Sequence, residues 1–122
     1  MLKTKNLMIE DWVNIMIVGY DNPVQIKEIG QFWVKVTQDD KDYGVILVQP
    51  ILLTPEILEK NGFIKSYDDS FSPKYTLNYE GISFSLKYAR SVFQWLGPLD
   101  IKYVHELQHL LKICGINKKI EL

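Results

Sequence analysis

Trp12-Val13-Asn14-Ile15-Met16-Ile17-Val18-Gly19, Val24-Gln25-Ile26-Lys27-Glu28-Ile29-Gly30 and Phe32-Trp33-Val34-Lys35-Val36-Thr37 are the stretches whose reading decides the fold. Each is rich in β-branched and aromatic residues, the second nearly alternates apolar with polar, and the first two stop at a glycine. Between the first two, Tyr20-Asp21-Asn22-Pro23 is a turn by composition. After the third, Gln38 to Gly44 is a polar turn carrying Asp39-Asp40-Lys41-Asp42. Val45-Ile46-Leu47-Val48 then reads as a fourth strand, and Pro50 as the end of the sheet. Short strands joined by short turns predict an antiparallel meander. A small barrel is one form such a meander takes.

Working outward, Leu53-Thr54-Pro55-Glu56-Ile57-Leu58-Glu59-Lys60-Asn61-Gly62-Phe63 reads as a short helix. Thr54 is placed to cap it, and Pro55 sits where a missing N–H costs nothing. Glu56 and Lys60 suit the two ends of the helix dipole, and Gly62 suits the left-handed residue that stops it. Ile57 and Leu58 are the expected buried side. Residues 65–73 read as a loop, followed by strands over 75–79, 82–88 and 91–96, with a turn at Asn78 to Gly81 and a break at Gly97-Pro98. Strict alternation predicts that Ile82, Phe84, Leu86 and Tyr88 share a buried face. Asp100 is the expected cap of a final helix, Ile101 to Cys114, closed by Gly115, and Ile116 to Leu122 is a candidate last strand. The predicted class is α+β, with an antiparallel N-terminal sheet, a short helix, a second antiparallel hairpin region and a C-terminal helix. One domain over 1–122 is expected.

Composition narrows the function. The chain has 122 residues, 47% hydrophobic and 24% charged, which is the make-up of a folded domain and not of a disordered segment. Fourteen basic residues face fifteen acidic ones, and Arg90 is the sole arginine. Residues 1–53 hold five Lys against seven Asp/Glu, and residues 54–122 hold nine Lys/Arg against eight Asp/Glu. Neither half offers the basic face that phosphate backbones attract, so nucleic acid is not the expected partner. The single cysteine, Cys114, excludes an internal disulfide and suits a reducing, cytoplasmic setting. No signal-peptide core or membrane-length apolar run is visible, so no membrane partner is expected.

One constellation has the form of a metal site. His105-Glu106-Leu107-Gln108-His109 matches H-E-x-x-H, in which two imidazoles one helical turn apart hold zinc and the glutamate activates a bound water. On a wheel of about 100° per residue, Tyr103, Val104, Leu107, Leu110, Leu111 and Cys114 share one arc, while His105 and His109 fall opposite it with Lys102 and Lys112. The histidines are therefore expected on a solvated face, and no third ligand is evident. Neither a metal nor another cofactor is expected. Cys114 lacks an imidazole on its own side and reads as structural. Asp39, Asp40 and Asp42 lack the later bidentate glutamate of a calcium loop and read as a solvated turn. Gly81-Ile82-Ser83 lacks the second glycine of a nucleophile elbow. Trp12, Trp33 and Trp95, with the Tyr and Phe residues, read as core and cross-strand pairs before a ligand platform.

Leu52-Leu53-Thr54-Pro55-Glu56-Ile57-Leu58-Glu59-Lys60-Asn61-Gly62-Phe63 and Ile101-Lys102-Tyr103-Val104-His105-Glu106-Leu107-Gln108 resemble a family of small uncharacterised proteins of Bacteroides-type bacteria, their prophages and conjugative elements. Asn6-Leu7, Asp11-Trp12-Val13 and Pro23-Val24-Gln25-Ile26 are similar to that family's opening. The resemblance implies a bacterial mobile-element setting and carries no assigned activity. The reading that follows is a non-enzymatic accessory module that binds a protein partner. The alternative is a minimal zinc-dependent hydrolase using His105, Glu106 and His109.

Overall fold

The computed structural model describes residues 2–67, 72–95 and 99–122. The expected break at Gly97-Pro98, the end of the expected strand at Leu96, and residues 68–71 of the expected loop lie outside them. The chain divides into two compact units. One holds the residues up to Leu52 with Tyr103–His105, and the other holds Leu53–Lys102 with Glu106–Leu122.

In the first unit β1 (Trp12–Ile15), β2 (Val24–Ile29), β3 (Trp33–Val36), β4 (Asp42–Gly44) and β5 (Val48–Pro50) form an antiparallel sheet in the order β4-β3-β2-β1-β5. Alternation explains the core: Val13, Ile15, Val24, Ile26, Val34, Val36 and Val48 are buried together with Leu7. The register of β2 on β3 shifts between Ile26 and Glu28, a bulge that bends the sheet. The sheet does not close into a barrel, since β4 and β5 stand at opposite ends of the order.

Two expectations need correction here. The fourth strand is Asp42–Gly44, because Lys35 pairs with Asp42 and Trp33 with Gly44 directly across a tight hairpin. Val45–Leu47 is instead a 3-10 turn. It rounds the corner that lets β5 reach the far side of β1, where Ile15 pairs with Val48. Pro50 ends the sheet as expected: it is the last residue of β5, an edge strand where an absent N–H is tolerated. Met16, Ile17 and Val18 leave β1: the Tyr20 N–H donates to the Ile17 carbonyl at 2.9 Å, and Gly19 takes φ +86° to make that turn.

In the second unit α1 (Pro55–Lys60) precedes β6 (Ile64–Tyr67), β7 (Pro73–Tyr79), β8 (Ile82–Ala89), β9 (Val92–Trp95) and β10 (Leu99–Ile101). These strands form an antiparallel sheet in the order β10-β9-β8-β7-β6. The Thr54 hydroxyl accepts the Ile57 N–H at 3.3 Å, as the sequence predicts for the cap of α1. At the other end Gly62 N–H donates to the Glu59 carbonyl and Phe63 N–H to the Leu58 carbonyl, with Gly62 at φ +90°. This pair of bonds returns the chain from the helix and seats Phe63 beside Leu58, both buried. Ile57 is only half-buried. Of the predicted face of β8, Phe84 and Leu86 are buried, Tyr88 is half-buried and Ile82, at the strand start, is exposed. Phe84 stacks on Trp95 and meets Phe63 edge-on, while Tyr75 meets Phe93 edge-on. The β8–β9 hairpin turns on Arg90 and Ser91, both left-handed at φ 55° and 63°, the geometry a two-residue hairpin demands.

The expected loop at 65–73 begins as β6, paired residue by residue with β7 from Ile64↔Thr76 to Tyr67↔Pro73. The final helix, α2 (Val104–Ile113), starts three residues later than expected. Asp100 is not its cap, because the ladder of β10 on β9 claims the backbone of Leu99–Ile101. The Glu106 carboxylate accepts the Lys102 N–H at 2.9 Å, tying the chain just before α2 to its first turn. Gly115, at φ +75°, ends α2 as expected, with the same pair of return bonds to Lys112 and Leu111. The tail beyond it forms no strand. Ile116 and Ile120 are buried, and the backbone of Glu121 is held by the Asn61 side chain in place of a ladder.

Candidate functional site

The H-E-x-x-H residues fall on α2, but not as its wheel alone implies. His105 is only 4% exposed and its ring stacks on Tyr103 at 5.9 Å and 9°. The expectation of a wet face for His105 is therefore overturned. A wheel describes a helix's own faces and not what covers them. Here Tyr103 bridges Leu52, and the Val104 N–H donates to the Ile51 carbonyl at 2.8 Å, so the first turn of α2 is held down and covered. His109 is half-buried, and so is Cys114. The Glu106 carboxylate, which a hydrolase would need facing a bound water, accepts the Lys102 N–H. Among the described residues no three His, Cys, Asp or Glu side chains are grouped to hold a metal ion.

The acidic turn is a structural staple. The Asp39 carboxylate accepts hydrogen bonds from the Tyr43 hydroxyl, from the Tyr20 hydroxyl at 3.3 Å and from the Lys41 N–H at 2.9 Å. Asp40 pairs with Lys27 at 2.7 Å and Asp42 with Lys35 at 3.2 Å. The Tyr20 and Tyr43 rings meet edge-on at 5.7 Å. Partial burial works to raise the Asp39 pKa, but the bonds from Tyr43, Lys41 and Tyr20 outweigh it and hold the carboxyl below its ordinary 3.8. The Asp39 carboxylate, as acceptor, holds the Tyr43 proton well above the ordinary tyrosine value of 10.0, while burial is the larger cause of the rise at Tyr20.

The signs follow. Asp39 contributes stability that is present above the ordinary carboxyl value and lost as pH falls through its lowered one. Tyr43 contributes stability that is present below the ordinary tyrosine value and lost as pH rises through its raised one. An alkaline absorbance titration is expected to show Tyr43 among the last tyrosines to ionise, a component missing in Tyr43→Phe. In Asp39→Asn that component moves down into the ordinary range; an unchanged curve there would refute the staple.

A different feature offers a surface. Within the first unit an open groove of about 720 Å³ runs beside β5, lined by Leu2, Met16, Ile46, Val48, Gln49, Pro50 and Tyr103. None of these side chains is charged. Ile46 is 70% exposed and Met16 53% exposed, large apolar groups that folding leaves in water. The groove is not legible in the sequence, where Val45-Ile46-Leu47-Val48 has the composition of a strand. The 3-10 turn at Val45–Leu47 instead turns Ile46 outward. A smaller hollow of about 210 Å³ lies at Gly19, Tyr20, Asp21 and Asn22, Val24 and Gln38.

Compared with protein families, curated proteins and solved structures, the chain has no match in any of the three. Among the described residues no helix is long and apolar enough to cross a membrane.

Proposed function

We propose that this chain is a non-catalytic interaction module, a cytoplasmic accessory protein of a bacterial mobile element or prophage, as its resemblance implies. The observation that carries the reading is the uncharged groove beside edge strand β5, with Met16 and Ile46 standing in water at its walls. An edge strand supplies backbone groups to an incoming extended segment, and apolar walls supply affinity for its alternate side chains. The partner this favours is a protein segment, not a charged polymer, because burying charge against an uncharged lining leaves it unpaired.

The test is selection of a displayed random-peptide library on the purified protein. Enriched peptides are expected to carry apolar residues at alternate positions, and Ile46→Asp is expected to lose them at an unchanged thermal midpoint. Enrichment no greater than on an unrelated bait, or peptides that bind Ile46→Asp equally well, would remove the support for this reading.

A further inference from the structure

We propose that Asn61-Gly62 is a self-modification site, at which the asparagine deamidates once the C-terminal tail lets go of it. Asparagine is among the thermolabile residues, and this is the one Asn-Gly pair in the sequence. Glycine has no side chain to hinder its backbone nitrogen and turns freely, so that nitrogen reaches the asparagine side chain where other residues obstruct it. The Gly62 nitrogen bonds to Asn61 Cγ and gives its proton to water or hydroxide. The Cγ–Nδ2 bond breaks, and Nδ2 takes up a proton and leaves as ammonia. Water then opens the cyclic imide at either carbonyl, which leaves aspartate or isoaspartate at position 61. Nothing is oxidised or reduced, and water is the co-reactant.

The folded chain withholds each requirement of that step. Asn61 has ψ 16°, which sets the Gly62 nitrogen beside the nitrogen of Asn61 and away from its Cβ. The Gly62 N–H is engaged with the Glu59 carbonyl at 3.2 Å. The Asn61 side chain is fixed at both polar atoms, by Ile57 and Glu121, and at 3% exposure it is closed to water. Two of those three side-chain bonds belong to the tail, so the tail is the gate. Buried Ile120 anchors it beside Glu121, and residues 116–122 pair with no strand, so the tail lifts without breaking a sheet. Asn61, Gly62 and the tail all belong to the second unit. The product does not close the gate again. A carboxylate at 61 has no N–H for the Ile57 and Glu121 carbonyls and sets a charge against both. Isoaspartate also lengthens the backbone by a carbon where α1 ends. A transient opening is thereby recorded as a lasting release of the tail.

The test is incubation of the full chain at mildly alkaline pH, with peptide mass mapping of aspartate and isoaspartate at position 61. The parent is expected to deamidate at least about tenfold more slowly than the same chain unfolded in urea. Ile120→Ala is expected to deamidate about tenfold faster than the parent while amide exchange in β8 stays slow. If that variant loosens β8 as well, sub-denaturing urea on the parent decides: deamidation that follows exchange at Glu121 supports the gate, and deamidation that follows exchange in β8 overturns it. Asn61→Asp supplies the product directly and is expected to quicken exchange at Glu121 well beyond that in β8. A parent as fast as the unfolded chain, or a folded Ile120→Ala no faster than the parent, overturns the proposal. So does aspartate formed without isoaspartate, the mark of direct hydrolysis, or a Glu121 amide as slow in Asn61→Asp as in the parent.

Discussion

Asn61→Ala is expected to lower the unfolding free energy by about 3 kcal/mol, more than an ordinary polar substitution. Asn61 is 3% exposed and sits just past the last turn of α1. Its side-chain amide donates at 2.8 Å to the Ile57 carbonyl and at 2.8 Å to the Glu121 carbonyl, and its Oδ1 accepts the Glu121 N–H at 2.7 Å. One side chain thus treats residue 121 as a strand would, exchanging both backbone bonds. Alanine leaves the Glu121 N–H and carbonyl without their partner, each costing about 1–3 kcal/mol where water does not return, while the Ile57 carbonyl keeps the backbone N–H of residue 61. Glu121 is exposed, so water reaches part of the gap and the total stays well below the sum. Urea denaturation measures the loss, and hydrogen exchange at Glu121 is expected to quicken more than exchange in β8. A variant within about 0.5 kcal/mol of the parent would show that the tail is held by Ile116 and Ile120 alone.

His105→Ala is expected to lose about 2 kcal/mol, against less than about 1 kcal/mol for His109→Ala. The first removes a covered ring stacked on Tyr103, and the second removes a half-buried one. The asymmetry separates packing from metal binding. Two imidazoles sharing a structural zinc would lose comparable stability on either substitution, and a chelator would lower the melting temperature. Here the chelator is expected to leave it unchanged. Equal losses at both positions, with one zinc retained per chain through purification, would restore the hydrolase alternative with Glu106 as its base.

The elements legible in the sequence are those whose signals are local. Thr54, Pro55 and Gly62 write both ends of α1 because a cap, a missing N–H and a left-handed residue act within a few residues. Alternation placed Phe84 and Leu86 inward for the same reason, since the pleat repeats every two residues. Where local signals compete, the backbone ladder prevails. Asp100 has the chemistry of a helix cap, yet β10 pairs with β9 through it and the helix begins only at Val104. Val45-Ile46-Leu47 has the composition of a strand. It turns instead, because a chain leaving β4 must reach the other edge of the sheet to pair with β1.

By itself the sequence determined the α+β class, the antiparallel pairing of neighbouring strands, the short capped helix and the glycine that ends the long one. Periodicity and end-chemistry are properties of a few consecutive residues. Only the tertiary structure decided that His105 is covered, that Asn61 clamps the tail sixty residues away, and that Ile46 and Met16 line an open groove. Burial and long-range hydrogen bonds depend on which segments meet. Residues far apart in the chain carry no mark of their meeting until the backbone has been folded around them.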